Sequence, residues 1–205
     1  HPVFVIAEAG INHNGSYKIA KKMIDVASET GVDCIKFQTH IVNEEMLKTN
    51  IRPGKISKET LWNIIKKCEL TEKEEYNLNQ YCKTKKILFL STPFSIAAVD
   101  RLEKLKIPAY KIGSGELTNL PFLNHIAKTK KPVILSTGMS DMTEIKSAVK
   151  FFKKFNTPLA ILQTTSEYPA DFKDINLGVI PKFKKLFNIP VGISDHSPGI
   201  YTALG

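Results

Sequence analysis

Two lysines stand inside apolar segments of the sequence, where a lysine seldom occurs without a partner or a chemical role. Lys36 lies within Cys34–Phe37, and Lys111 lies within Ala109–Ile112. Polar side chains that could share a ligand with them stand at the ends of such segments: Glu8, Gln38, Thr92, Ser114, Ser136 and Ser194. Ammonium groups combined with hydroxyl and backbone donors bind phosphate and carboxylate groups. The pattern therefore indicates a site for a small anion.

Two glycine-containing segments accompany these hydroxyls. Gly113-Ser114-Gly115 follows the segment that carries Lys111, and Ser136-Thr137-Gly138 follows the next apolar segment. Small residues let backbone N–H groups approach a bound anion, and we expect both segments to do so here.

One carboxylate and one histidine add acid–base or metal chemistry. Glu116 suits a general acid or base, and an ion pair with one of the lysines is the alternative. His196 follows Asp195, and a histidine with carboxylate support is a ligand for a divalent ion. One histidine cannot hold a metal alone, so His13 and His40 are further candidates. A histidine satisfied within the core is the alternative for His196.

The elements that must position these residues alternate along the chain. Short apolar segments, rich in β-branched residues, are separated by longer amphipathic stretches. The segments are Val3–Ala7, Cys34–Phe37, Ile87–Leu90, Ala109–Ile112, Val133–Leu135, Leu159–Leu162 and Val191–Ile193. Their near-continuous hydrophobicity predicts strands buried on both faces, as in a parallel sheet.

The amphipathic stretches predict helices. They are Tyr17–Thr30, Ser95–Leu105, Leu120–Ala127 and Thr143–Phe155, with a helical stretch at Glu59–Thr84 inside a long insertion after the second strand. Gly31 is the expected stop of the first helix, and Asp141 or Ser140 is the expected cap of the fourth. Repeated βα units fit either a doubly wound sheet or a (β/α)8 barrel, in which the carboxyl ends of the strands carry the site.

Composition excludes several classes of protein. The chain of 205 residues has a net charge of +9 but contains only two arginines, Arg52 and Arg101. Because a nucleic-acid interface would need a basic stripe with arginines or aromatic residues, a solvated lysine-rich surface explains the charge better. No apolar run reaches the roughly 18 residues that a membrane span needs. The three cysteines lack metal-ligand spacing, which predicts buried thiols in a reducing cytoplasm.

Six motifs, spread over essentially the whole chain, carry a resemblance. They are Ile6–Gly15, Lys36–His40, Ser91–Phe94, Tyr110–Glu116, Leu135–Met139 and Gly192–Ser197. In this order they resemble the bacterial sialic acid synthases (the N-acetylneuraminate synthase family).

The resemblance implies an α/β fold, a (β/α)8 TIM barrel followed by a small antifreeze-like domain, in a homodimer. Residues 1–205 would then be an incomplete barrel of about seven strands, without the last βα unit and without the second domain. The implied reaction condenses phosphoenolpyruvate with N-acetylmannosamine and releases phosphate, giving N-acetylneuraminate for surface polysaccharides. It uses a divalent metal, Mn²⁺ or Mg²⁺, in the cytoplasm.

The resemblance also assigns roles to residues. Phosphoenolpyruvate would be held by Lys36, Thr92, Lys111, Ser114, Ser136 and Ser194. The amino sugar would contact Glu8, Gln38 and Tyr168. Glu116 would be the acid–base group, and His196 would be one of two metal histidines, the second lying outside these residues. Ser166 stands where an asparagine is expected, which is a departure from the pattern.

Other functions remain open at this point. Relatives of the same family make legionaminic acid, pseudaminic acid or spore-coat polysaccharide precursors. A Schiff-base aldolase using Lys36 or Lys111 is a second class of enzyme, and a non-catalytic anion-binding fragment is a third possibility. We expect residues 1–205 alone to be inactive.

Overall fold

The computed structural model describes residues 2–54 and 57–205. They divide into two compact units, of which the first ends at Pro108 and the second begins at Ala109. Each unit contains one parallel sheet whose strands alternate with helices along the chain. The α/β class with parallel pairing, expected from the apolar segments, is confirmed.

The first unit has a three-stranded sheet in the order β1-β2-β3. Its strands are β1 (Ile6–Gly10), β2 (Cys34–Thr39) and β3 (Leu88–Pro93). Its helices are α1 (Tyr17–Glu29), α2 (Val42–Glu45), α3 (Leu61–Cys68), α4 (Glu72–Thr84) and α5 (Ile96–Lys104). The insertion expected after the second strand therefore contributes α2, α3 and α4.

The second unit has a four-stranded sheet in the order β4-β5-β6-β7. Its strands are β4 (Tyr110–Ile112), β5 (Val133–Ser136), β6 (Leu159–Thr164) and β7 (Val191–Ser194). Its helices are α6 (Leu120–Lys128), α7 (Met142–Lys154), α8 (Val179–Phe187) and α9 (Tyr201–Leu204), with short 3-10 helices at Ser114–Glu116 and Phe172–Asp174.

Local capping explains where most helices begin and end. The Ser16 hydroxyl accepts a hydrogen bond from the Ile19 N–H at the start of α1, and Gly31 follows its end with φ of +75°. The Asp141 carboxylate accepts the N–H groups of Thr143 and Glu144 at the start of α7, as expected.

Several predicted boundaries differ from the structure, and local hydrogen bonds explain two of the differences. The stretch expected as one helix over Glu59–Thr84 is two helices, because Thr71 adopts extended backbone and caps α4 in a reciprocal capping box with Glu74. The first strand begins at Ile6 rather than Val3. Val5 lies outside the sheet ladder because its N–H donates to the Asp33 carboxylate at 2.7 Å.

Strand register places the polar residues of the first unit. Side chains alternate between the two faces of a strand, so Lys36 and Gln38 of β2 share one face. Glu8 of β1 is paired with Lys36, and Gln38 is paired with Thr92 of β3. Polar groups from three strands therefore meet towards the carboxyl edge of this sheet.

The three cysteines are buried and free, as predicted. Burial raises the pKa of Cys34 and of Cys82 to about 12, which keeps both thiols protonated and unreactive. Within residues 2–54 and 57–205, no helix is both long and apolar enough to cross a bilayer.

Candidate active site

Lys36 is the centre of the polar cluster in the first unit. It is 6% exposed, and its Nζ forms an ion pair with Glu8 Oε2 and donates to Thr92 Oγ1 at 3.4 Å. The Glu8 side chain is half exposed, so it can receive a ligand from solvent. The structure thus brings together three residues that the sequence singled out.

Gln38 extends this cluster towards a second, buried pair. His40 Nε2 lies 3.0 Å from Gln38 Oε1, and His40 Nδ1 lies 2.8 Å from Glu45 Oε2. The His40 ring stacks on Phe94 with ring centres 4.5 Å apart. Both nitrogens of His40 are therefore engaged by the protein, and the expectation that it could be a metal ligand is not supported.

His13 has a different environment in the same unit. Its Nδ1 accepts the N–H of Gly15 at 3.1 Å, and its Nε2 is buried without a hydrogen-bond partner among the residues that the structure describes. Burial, followed by the nearby charge of His40, lowers the pKa of His13. His13 is consequently a neutral ring that shapes the loop after β1.

The network on the opposite face of β2 was not predictable from the sequence. The Thr39 hydroxyl donates to Glu75 Oε1 at 2.6 Å and lies 2.7 Å from Ser91 Oγ. Arg101 donates to Glu75 Oε2 at 3.1 Å and to the Leu70 carbonyl at 3.2 Å. Burial raises the pKa of Glu75, while Thr39 and Arg101 act to lower it. The network joins β2 and β3 to α4 and α5.

Lys111 is the centre of the corresponding cluster in the second unit. It is 5% exposed, and its Nζ donates to Ser136 Oγ at 2.6 Å and to the Ile112 carbonyl at 3.2 Å. These two contacts hold the ammonium group at the carboxyl end of β5, where Ser136 is the last residue of the strand. Burial of both Lys36 and Lys111 agrees with the expectation from the sequence.

Ser114, which follows β4, lies against Gly138, which follows β5. The Gly138 N–H donates to Ser114 Oγ at 3.0 Å, so the Ser114 hydroxyl engages this N–H in the structure. A Cβ at Gly138 would lie 2.9 Å from Ser114 Oγ and would collide with Ser166 Oγ. Glycine is required here because two hydroxyls approach the backbone.

Glu116 ends the first 3-10 helix and is held by Asn119. The Asn119 Nδ2 donates to Glu116 Oε2 at 2.7 Å. The Asn119 Oδ1 accepts the Phe122 N–H at 3.3 Å and caps α6. Because the oxygen is committed to the cap, the amide must present its nitrogen to Glu116.

His196 lies after β7 with its ring fixed by the backbone. Nδ1 donates to the Thr165 carbonyl at 2.7 Å, and Nε2 lies 3.1 Å from Tyr168 Oη and 3.4 Å from Ser194 Oγ. Donation from Nδ1 leaves a lone pair on Nε2 in the neutral ring. The structure thus brings together Tyr168, Ser194 and His196.

The expected support from Asp195 is wrong. Its Oδ1 accepts the N–H of Ser197 at 2.9 Å and the hydroxyl of the same serine at 2.7 Å. A local turn therefore uses this carboxylate, and the carbonyl of Thr165 orients His196 instead. Among residues 2–54 and 57–205, no group of three or more histidine, cysteine or acidic residues is arranged to hold a metal.

Comparison with known proteins finds relatives that align with nearly the whole chain. The chain is 39% identical over 209 residues to N,N'-diacetyllegionaminic acid synthase of Campylobacter jejuni, and 36% identical over 205 residues to human N-acetylneuraminate-9-phosphate synthase. Each alignment covers 98% of this chain, but only 62% and 57% of the respective relative. The chain thus spans about three fifths of their length.

A solved structure gives the same result for the fold. N-acetylneuraminic acid synthetase of Leptospira borgpetersenii superposes with a TM-score of 0.90 and 36% identity, over 100% of this chain and 68% of that one. Residues 23–205 match the family description "NeuB family". The chain therefore belongs to the NeuB family, whose members named here are synthases of sialic and legionaminic acids.

Proposed function

We propose that this chain is the larger part of the catalytic domain of a synthase that condenses phosphoenolpyruvate with an N-acetylated amino sugar. The observation that carries the proposal is the pair of buried lysines. Lys36 and Lys111 are 6% and 5% exposed, and each donates to a hydroxyl group from a neighbouring strand. A lysine buried at this cost is expected where a ligand supplies negative charge.

The proposal includes the fold of the whole protein. The two sheets would be parts of one (β/α)8 barrel, completed by a further βα unit and followed by an antifreeze-like domain. In the first unit β1 is an edge strand, and an open apolar groove of about 380 Å³ runs beside it, lined in part by Ala7, Met23 and Val26. This edge and groove suit a further strand and helix. The full-length protein would be a homodimer.

The residues of each unit would divide the work of binding. Lys36 and Thr92, and in the second unit Lys111, Ser114 and Ser136, would hold the phosphate and carboxylate of phosphoenolpyruvate. Ser194 would add a hydroxyl to the same ligand. Glu8, Gln38 and Tyr168 would contact the amino sugar.

Glu116 would handle the proton of the reaction. The enol carbon of phosphoenolpyruvate attacks the sugar aldehyde, and water then adds to the neighbouring carbon. Glu116, oriented by Asn119, would accept a proton from that water. Phosphate leaves from the tetrahedral intermediate, and the lysines would stabilise its charge as it departs.

His196 fits one position of a metal site. Its Nε2 carries the lone pair because Nδ1 donates to a carbonyl, which is the arrangement that metal-binding histidines have. Bound Mn²⁺ or Mg²⁺ would polarise the aldehyde as a Lewis acid. Further ligands would come from the remainder of the protein.

The two relatives are named for different products at nearly equal identity to this chain. The sugar is therefore proposed only as a class, with N-acetylmannosamine first and a diacetamido 6-deoxy sugar second. The test is phosphate release by the full-length protein with phosphoenolpyruvate and each sugar. Release that requires one of the two sugars supports the proposal. Release without sugar, or borohydride trapping of a lysine with a keto substrate, contradicts it.

A further inference from the structure

His40 is a buried histidine with a fixed orientation at the end of β2. It is 4% exposed, and its ring lies nearly parallel to Phe94, with 16° between the ring planes. Stacking fixes the ring plane, and the two nitrogens then point in set directions within that plane. The partners of those nitrogens therefore define what His40 does.

Both ring nitrogens face hydrogen-bond acceptors. Nδ1 lies 2.8 Å from Glu45 Oε2, and the Glu45 side chain is 7% exposed. Nε2 lies 3.0 Å from Gln38 Oε1. An amide oxygen can only accept, so Nε2 is the donor in this contact. The two contacts hold the ring between a buried carboxylate and the Gln38 amide.

The orientation of the Gln38 amide follows from this contact. With Oε1 held by His40, Nε2 turns towards Gly10 and Glu8. Gly10 has no Cβ, but an atom in that position would lie 3.3 Å from Glu8 Oε1 and 3.7 Å from Gln38 Nε2. Both side chains therefore approach the same side of Gly10. The reverse orientation would direct the amide oxygen to the Glu8 carboxylate and the N–H2 group to the ring N–H of His40, which is unfavourable at both ends.

We propose that His40 is a positioning residue, which fixes the Gln38 amide so that its N–H2 group faces the sugar site beside the Glu8 carboxylate. The site then offers one donor and one acceptor side by side. Glu8 accepts from an O–H or N–H group of the sugar, and Gln38 donates to a sugar oxygen. This inference rests on the proposed function, because it takes the ligand of Gln38 to be the amino sugar.

Two substitutions in the full-length protein separate the contacts of His40. In His40→Asn the amide nitrogen replaces Nδ1, so the contact with Glu45 remains and the contact with Gln38 is lost. In His40→Gln the amide nitrogen replaces Nε2 and keeps the contact with Gln38. Glu45→Gln is combined with His40→Gln, because Glu45 would otherwise be a buried charge without a partner.

Steady-state kinetics is the first measurement. A hydrogen bond to a ligand changes affinity by about tenfold. We expect His40→Asn to raise KM for N-acetylmannosamine by about tenfold, with KM for phosphoenolpyruvate within about twofold of wild type. His40→Gln combined with Glu45→Gln should stay within about threefold for both substrates. An unchanged sugar KM in His40→Asn, or equal losses in both variants, overturns the proposal.

Crystal structures of the wild-type and His40→Asn proteins give an answer that does not depend on activity. Gln38 should leave its wild-type conformation in His40→Asn and keep it in the double variant. An unchanged Gln38 in His40→Asn overturns the positioning role. A wild-type protein that fails to use either amino sugar refutes the proposed function only, since the crystallographic comparison still decides the role of His40.

Discussion

Replacement of Lys111 by methionine tests the anion site in the second unit. Methionine keeps an unbranched stem of similar volume, so packing changes little, and the charge is what the substitution removes. The ammonium group is 5% exposed and donates to Ser136 Oγ and to the Ile112 carbonyl, both uncharged. The variant should therefore fold, because the methionine side chain fills the volume that the buried lysine stem occupies.

The effect on ligand binding follows from the same burial. A hydrogen bond to a charged group contributes about 1.5–3 kcal/mol to the free energy of binding. At about 1.4 kcal/mol per factor of ten, the variant should bind phosphoenolpyruvate roughly 10- to 150-fold more weakly than the wild type. Titration calorimetry of the full-length protein with phosphoenolpyruvate alone measures this directly. Thermal unfolding of the same sample without ligand verifies that the variant is folded at the temperature of the titration.

Lys150→Met is the matched control. Lys150 is exposed on α7, so its replacement makes the same change in net charge away from the cluster. Its affinity for phosphoenolpyruvate should stay within about twofold of wild type. If Lys111→Met also stays within twofold, or if both variants lose affinity equally, Lys111 does not hold the anion and the reasoning from burial is wrong.

Three further outcomes are expected. Glu116→Gln should abolish turnover while phosphoenolpyruvate still binds in calorimetry, and turnover near the wild-type rate would contradict its role as the acid–base group. Asn119→Asp keeps the cap of α6 but places a carboxylate against Glu116 in place of an N–H donor. The kcat should therefore fall about tenfold or more, while the melting temperature stays unchanged. An unchanged kcat would argue against orientation of Glu116 by Asn119. Arg101→Met leaves the buried Glu75 carboxylate without its counter-charge and should lower the free energy of unfolding by about 3–5 kcal/mol at neutral pH, measured by urea denaturation. The pKa of Glu75 in the folded protein is raised above its ordinary value of 4.5. Between these two pKa values the folded protein binds more protons than the unfolded chain, so the free energy of unfolding rises as pH falls. The cost of Arg101→Met should therefore shrink on acidification, and a cost independent of pH would refute this account.

The sequence predicted what depends on local pattern. Apolar segments identified the strands, because burial on both faces of a parallel sheet requires continuous hydrophobicity. Lys36 and Lys111 were recognisable for the same reason, since each interrupts such a segment. The cap at Asp141 was predictable because its acceptor and donors lie within three residues along the chain.

Contacts between distant residues could not be predicted in this way. Thr39 lies 36 residues from Glu75 and 52 from Ser91, and Glu75 resembles any carboxylate on an amphipathic helix. Asp195 was misread for the opposite reason, since its neighbour in sequence, His196, is not its partner in space. Glu45 lies five residues after His40, so sequence proximity offered a weak signal for that pair.

Two buried carboxylates, Glu75 and Glu45, pair with residues at the carboxyl end of β2, and their placement bears on function. Thr39 is anchored through Glu75 on one side, and His40 is anchored through Glu45 just beyond the strand. Such pairs are seldom more stabilising than apolar residues of the same volume, so core stability alone does not account for two of them beside one strand end. They do, however, restrict rotation on both sides of Gln38. A site whose donor and acceptor groups are fixed before the ligand arrives loses less conformational entropy on binding, and this favours a binding role for the end of β2.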